Sequence, residues 1–149
     1  MKLKYILLIM GILVANLTIA NSFETDTFKT KNNKEVVITF IKHGSLMISV
    51  EGLHIQIDPV SDYANYTIFP KAEFILVTHE HGDHLDIKAI ENVSKNSTQL
   101  ILNQSSRNII SKGDVMKNGD KKNLTADISI EAVPAYNTTA GREKFHPRN

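Results

Sequence analysis

The amino-acid sequence predicts a mixed β-sheet covered by helices, an α/β arrangement with α+β character. Three observations predict it. Apolar, β-branched runs follow one another closely at Glu35–Lys42, Leu46–Val50 and Leu53–Ile57. Farther on, the short apolar run Phe74–Val77 is followed by apolar residues at helical spacing, then by a second short run at Gln99–Leu102. Closely linked strands followed by strand–helix alternation put antiparallel and parallel strands into one sheet.

Each element has its own reason. Glu51-Gly52 separates two strands as a tight hairpin turn. Met47, His54 and Gln56 alternate with more apolar neighbours, the pattern of strands with one covered face. Asp58-Pro59 stops the third strand, and 61–70 reads as a loop holding Tyr63, Tyr66 and Phe69. Asp86 is placed to cap a helix by accepting from a free backbone N–H. Ile87, Ile90 and Val93 then form one apolar stripe. Ser105–Ser111 reads as a helix or turn. Val115–Asn123 reads as a polar loop, with Lys117-Asn118-Gly119-Asp120 as a turn signal. Ile128–Val133 is the last clear strand.

Function is concentrated between Thr78 and Asp86, which read T-H-E-H-G-D-H-L-D. Three of the chain's six histidines, together with Asp83, fall within the six residues His79–His84 (His79, His81, Asp83 and His84), just after the apolar run ending at Val77. Imidazole nitrogen is a good ligand for zinc and other first-row metals. In extended chain, residues two apart point to one side. His79 and His81 therefore converge on a first ion, and Asp83 and His84 serve a second. Gly82 suits the bend between them because it brings no Cβ to clash. A loosely binding His-rich tract is the competing reading, but such tracts do not normally follow a buried strand.

The run H-E-H-G-D-H at His79–His84 resembles the H-x-H-x-D-H signature of the metallo-β-lactamase superfamily, in its ascorbate-phosphate lactonase-like branch of metal-dependent hydrolases. Three flanking segments support the likeness. Ile41–Ile48, around His43-Gly44-Ser45, resembles the glycine–histidine segment of that branch. Ile55–Val60 resembles its I-D-P strand end. Ala132–Asn137 resembles the strand leading to the third metal motif. The likeness runs from about Val36 to the C-terminus. It implies a four-layer αβ/βα sandwich, of which 35–149 would supply the N-terminal half, because no later G-D-T-like segment or final histidine follows. A sheet face expecting a partner sheet would then be open to self-association or to a complementing chain.

The resemblance also assigns roles. It implies one or two zinc ions, with manganese or iron as substitutes, and a metal-activated water attacking a small ester, lactone or phosphoester. Asp83 would act catalytically, positioning that water and moving its proton. Asn137 stands where the third ligand of the first ion is normally a histidine, and His146 is the replacement at hand. The resemblance has Asp58 accepting from an imidazole or from the metal-loop backbone; the bland alternative is a turn-former before Pro59. His43 either lines the pocket or is a half-buried strand histidine. His54 reads as structural. Two other classes stay open: a non-catalytic metal-binding remnant, and a piece that needs a second polypeptide.

Composition bounds the rest. A length of 149 residues fits one domain, and a hydrophobic share of 42% supports a core. With no cysteine, disulfides and thiolate ligands are excluded, so a metal site must use nitrogen and oxygen. Lys2 and Lys4 precede an apolar run from Tyr5 to Ala15, and Thr18-Ile19-Ala20 offers a cleavage point. Residues 1–20 thus read as a secretory signal peptide, with 21–34 a polar linker. The apolar run is short for a membrane span, so no stable span is expected after cleavage. Export implies the periplasm or exterior of a bacterium. Losing Lys2 and Lys4 leaves 15 of the 17 basic residues against 16 acidic ones. So even a balance implies no nucleic-acid partner, and the expected partner is a small-molecule substrate.

Overall fold

Four strands form an antiparallel meander: β1 (Glu24–Lys29), β2 (Glu35–Lys42), β3 (Ser45–Val50) and β4 (Leu53–Ile57). The computed structural model describes residues 23–142 and 146, so the signal peptide read at 1–20 lies outside the described residues. The β3–β4 turn is tight because Glu51 and Gly52 both take positive φ, 48° and 83°, the backbone that two-residue hairpins favour. After β4 the sheet changes sense. β5 (Phe74–Val77), β6 (Gln99–Leu102) and the short β7 (Asp114–Val115) run parallel to β4 and to each other, giving seven strands in the order β1 to β7. Helices α1 (Ile87–Val93) and α2 (Gln104–Ile110) make the crossovers from β5 to β6 and from β6 to β7, while β4 reaches β5 through a loop with a 3-10 turn at Tyr66–Ile68.

Both helices begin on side-chain caps. The Asp86 carboxylate accepts from the N–H groups of Lys88 and Ala89 and also from Ser61, and Asn103 accepts from Ser106. Ile90 and Val93 are buried as the stripe predicted, whereas Ile87 is half exposed; Ala89 takes its place in the core. With Tyr66, Ala72, Ile75, Val77, Leu100 and Leu102 they form the main core between helices and sheet.

The structure corrects four expectations. The stretch read as a linker carries β1, antiparallel to β2. All six of its residues are exposed, so no apolar alternation announced it. The loop expected at Val115–Asn123 is broken by β7 and by β8 (Lys121–Asn123), which pairs with β9 (Ser129–Glu131). Gln56, read as the polar side of a half-covered strand, is fully buried, with neither end of its carboxamide hydrogen-bonded. Its strand adjoins parallel β5, and parallel strands are covered on both faces. Finally, the face expected to be open is covered over β4–β6, where Met116, Leu124, Ile128 and Ile130 pack on Ile55, Phe74 and Ile101. Towards β1 and β2 that cover ends, leaving Phe28 and Phe40 51% and 39% exposed.

The Asp86 carboxylate joins the loop after β4 to α1. Replacing it with alanine should lower stability by about 0.5–2 kcal/mol, the cost of losing a helix cap, measured by urea unfolding.

Candidate metal centre

The parallel pairing of β4 with β5 places the carboxyl ends of both strands side by side, Ile57 opposite Leu76. Crevices at the carboxyl ends of parallel strands are where α/β sheets bind ligands. Asp58 and Thr78 each follow directly on these strands. Asp58 is 1% exposed and takes a positive φ of 44°. Its carboxylate accepts from the Thr78 N–H and hydroxyl, both at 2.7 Å, and lies 2.7 Å from His84 Nδ1. Its carbonyl accepts from the Ser45 hydroxyl at 2.5 Å. The metal loop then folds on itself, as the N–H groups of His84 and Leu85 donate to the His81 carbonyl. Glu80, inside the motif, accepts from Asn103, tying the loop to the start of α2.

Two groups of ligand atoms form at this lip. His79, His81 and His146 make one; His43, Asp83 and His84 make the other. In each group the ligand atoms lie within 4.8 Å of one another. His79 Nε2 is 3.1 Å from His81 Nδ1, and the His146 ring lies 4.8 Å and 5.2 Å from theirs. In the second group His43 Nε2 is 3.2 Å from Asp83 Oδ2, with His84 Nε2 3.8 Å from the same oxygen. Rings of His79 and His84, one from each group, stand 4.0 Å apart.

Sequence-predicted residues therefore fall as follows. His79, His81, Asp83 and His84 are brought together in the expected two pairs. His43 joins the second pair through the β2–β3 turn, at a register shift at the end of β2, a device that re-aims side chains near sites. His146 joins the first pair. Asn137 does not: its carboxamide oxygen accepts from the Thr139 N–H, while its own N–H holds the His146 carbonyl. Asp58 touches His84 and the loop backbone. His54 lies apart, paired with Ser49. Sequence reasoning missed Thr78 and Ser45, whose only signal was their position beside a strand end and a turn.

The donors fit a borderline metal ion. Thr78 spends its hydroxyl proton on Asp58 and so can only accept from His79 Nδ1, 3.0 Å away. That leaves the His79 Nε2 lone pair facing His81. Adjacent ligands on a tetrahedral ion at 2.0–2.1 Å stand about 3.3 Å apart, close to the spacing seen. A carboxylate on Nδ1 likewise leaves His84 Nε2 free as a donor, the usual tautomer control of metal-binding histidines. Burial, and then the imidazoles of His84, His81 and His146, push His79 down from its ordinary value to about 4. It stays neutral and able to ligate. Burial pushes Asp83 up, but its own backbone N–H and the imidazoles of His84 and His43 outweigh this and hold it below the usual carboxylate range. Beside His43 a cleft of about 410 Å³ opens, lined by Phe23, Phe40 and Leu46 and by the opposite charges of Lys42 and Glu24.

Comparison with known proteins bears on the family and the fold. The model of the beta-lactamase superfamily domain matches residues 37–149. A metal-dependent hydrolase from Archaeoglobus fulgidus is 34% identical over 109 residues, covering 68% of this chain and 46% of the relative. A metal-dependent hydrolase from Flavobacterium johnsoniae is 40% identical over 73 residues, 46% of this chain and 32% of the relative. The crystal structure of a Parabacteroides distasonis protein, named as a metal-dependent hydrolase, superposes with a TM-score of 0.82 at 59% identity. That match covers 85% of this chain and 58% of the other. The chain thus spans a third to somewhat over half the length of these relatives.

His79 gives the metal-free protein a pH dependence. The unfolded chain protonates this imidazole near pH 6.5, the folded chain only near 4. Between those values the unfolded state binds more protons, so its share rises as pH falls. Thermal unfolding of metal-free protein should show this contribution intact above about pH 6.5 and lost progressively towards pH 4. In His79→Ala that part of the slope should vanish.

Proposed function

The chain belongs to the metallo-β-lactamase superfamily, and on that footing we propose that it works as a metal-dependent hydrolase of a small ester, lactone or phosphoester. The observation that carries this is the meeting of two three-residue ligand groups on one lip of the sheet. His79, His81 and His146 would hold one ion; Asp83 and His84, with His43 on Asp83, would hold a second. Zinc suits the donors, and manganese or iron are substitutes. Bound metal supplies Lewis acidity and a water acidic enough to serve as nucleophile near neutral pH.

The protein's own groups do the remainder. Asp58 fixes the His84 ring and, through Thr78, the start of the loop. Asp83, half exposed and between two imidazoles, is placed to orient the attacking water and to carry its proton to the leaving group. The cleft beside His43 offers apolar walls together with the opposite charges of Lys42 and Glu24, which suits a compact substrate with an acyl part. Export to the periplasm rests on the basic and apolar start of the sequence alone. Exposed Phe28 and Phe40 support a role for a second polypeptide, either another copy or a complementing chain, on that side of the sheet.

Purified chain should retain two metal ions per molecule and hydrolyse a generic phosphodiester or lactone, with turnover and one ion lost in His81→Ala. Elemental analysis and a chromogenic assay read both. One weakly held ion without turnover would favour a non-catalytic metal-binding role. Turnover appearing only on adding a second polypeptide would favour a divided enzyme.

A further inference from the structure

The hairpin between β2 and β3 turns on two residues, His43 and Gly44. The positive φ of this turn, 55°, belongs to His43. Gly44 takes no left-handed backbone, so its conformational freedom does not account for a glycine there. Space does. A Cβ at position 44 would lie 2.9 Å from His84 Cε1, 3.1 Å from His84 Nδ1 and 3.4 Å from Asp58 Oδ2. The first of these is closer than real Cβ contacts come. His84 has little room to yield, because its Nδ1 is held by Asp58 at 2.7 Å and its Nε2 faces Asp83 at 3.8 Å.

Gly82, the glycine inside the metal loop, is the opposite case. A Cβ there would meet nothing within 4 Å, and its φ is ordinary. The expectation that the motif's own glycine avoids a Cβ clash is therefore corrected: the crowded position is on the facing hairpin.

We infer that the bare backbone of Gly44 is a positioning element for the second ligand group: it admits the His84 ring against Asp58 and so aims His84 Nε2 at the place shared with Asp83 and His43. Any side chain at 44 drives the ring off Asp58. None of His79, His81 and His146 supplies any of the three nearest atoms that a Cβ at 44 would meet, and the first ligand group is expected to keep its arrangement. The inference rests on the metal-centre reading for its effect on ions, but not for its effect on packing.

A mutant cycle tests both parts. Gly44→Ala, His84→Ala, the double variant and Gly82→Ala are compared as full chains. In metal-free protein, Gly44→Ala should lower the Tm in the wild-type background. It should leave the Tm unchanged in the His84→Ala background, where the ring it would strike is gone. Gly82→Ala should match wild type. Titrated with zinc, Gly44→Ala should keep one ion at wild-type affinity and bind the second at least about tenfold more weakly, the scale on which groups that orient ligands act. Cobalt substitution should change only the absorption bands of the second ion. The inference is overturned if Gly44→Ala costs the same Tm with and without His84, if it costs none in either, or if both ions bind as in wild type. Should wild-type protein bind no zinc, the metal-centre reading falls, and the Tm cycle still decides whether Gly44 seats His84.

Discussion

The arrangement of this lip depends on one buried carboxylate. Asp58 ends β4 in a left-handed backbone conformation and accepts three hydrogen bonds on its side chain and one on its carbonyl. Through them it ties the β2–β3 turn, the end of β5 and the last histidine of the metal loop to one point. A carboxylate shielded from water is costly unless its lone pairs are matched, and here every partner is part of the site or its support. The same interaction sets tautomers at two removes. Asp58 accepts from His84 Nδ1–H directly, and by accepting from the Thr78 hydroxyl it obliges His79 to donate to that oxygen. Both rings are left with Nε2 lone pairs free, that of His79 facing His81 and that of His84 facing Asp83.

Crowding imidazoles in this way is an electrostatic commitment. Rings of His79, His81, His84 and His146 lie within about 5 Å of at least one neighbour. Within this cluster His79 resists protonation, through burial and then through the imidazoles beside it. Its neutral nitrogen, set among the other rings, suits a cation. Asp83 and His43, both half exposed, sit on the wetter side, where exchange of water or substrate is easiest.

Much of this was legible in the sequence, for local reasons. The H-x-H-x-D-H spacing, the cap at Asp86 and the Glu51-Gly52 turn are set by neighbours a few residues away, and their chemistry shows in the letters. The pairing of His79 with His81 followed from the alternation of extended chain, whereas Asp83 and His84, adjacent in sequence, meet in one group because the loop folds back on the His81 carbonyl. What sequence reasoning missed was set by distant contacts. β1 is an edge strand whose hydrogen bonds go to β2 while all its side chains meet water, so hydropathy could not mark it. Asn137 and His146 share one backbone hydrogen bond, but which of them faces the imidazoles depends on a chain path that spacing does not reveal. Gly44 and Gly82 look equivalent as letters; only the ring of a residue forty positions on distinguishes them.

Gln56 shows that the scaffold around this lip is not tuned for maximum robustness. Its carboxamide is sealed between Met47 of β3 and Ile75 of β5, with both polar ends unmatched. A group left in that condition costs on the order of 1–3 kcal/mol, and an apolar side chain of similar size would remove the defect. Methionine there would keep the volume and drop the unmet polarity, giving a sturdier sheet two residues before Asp58, on the strand that leads into it. Such latitude makes the strand interior, not the crowded rim, the natural place to harden this protein before its rim is redesigned.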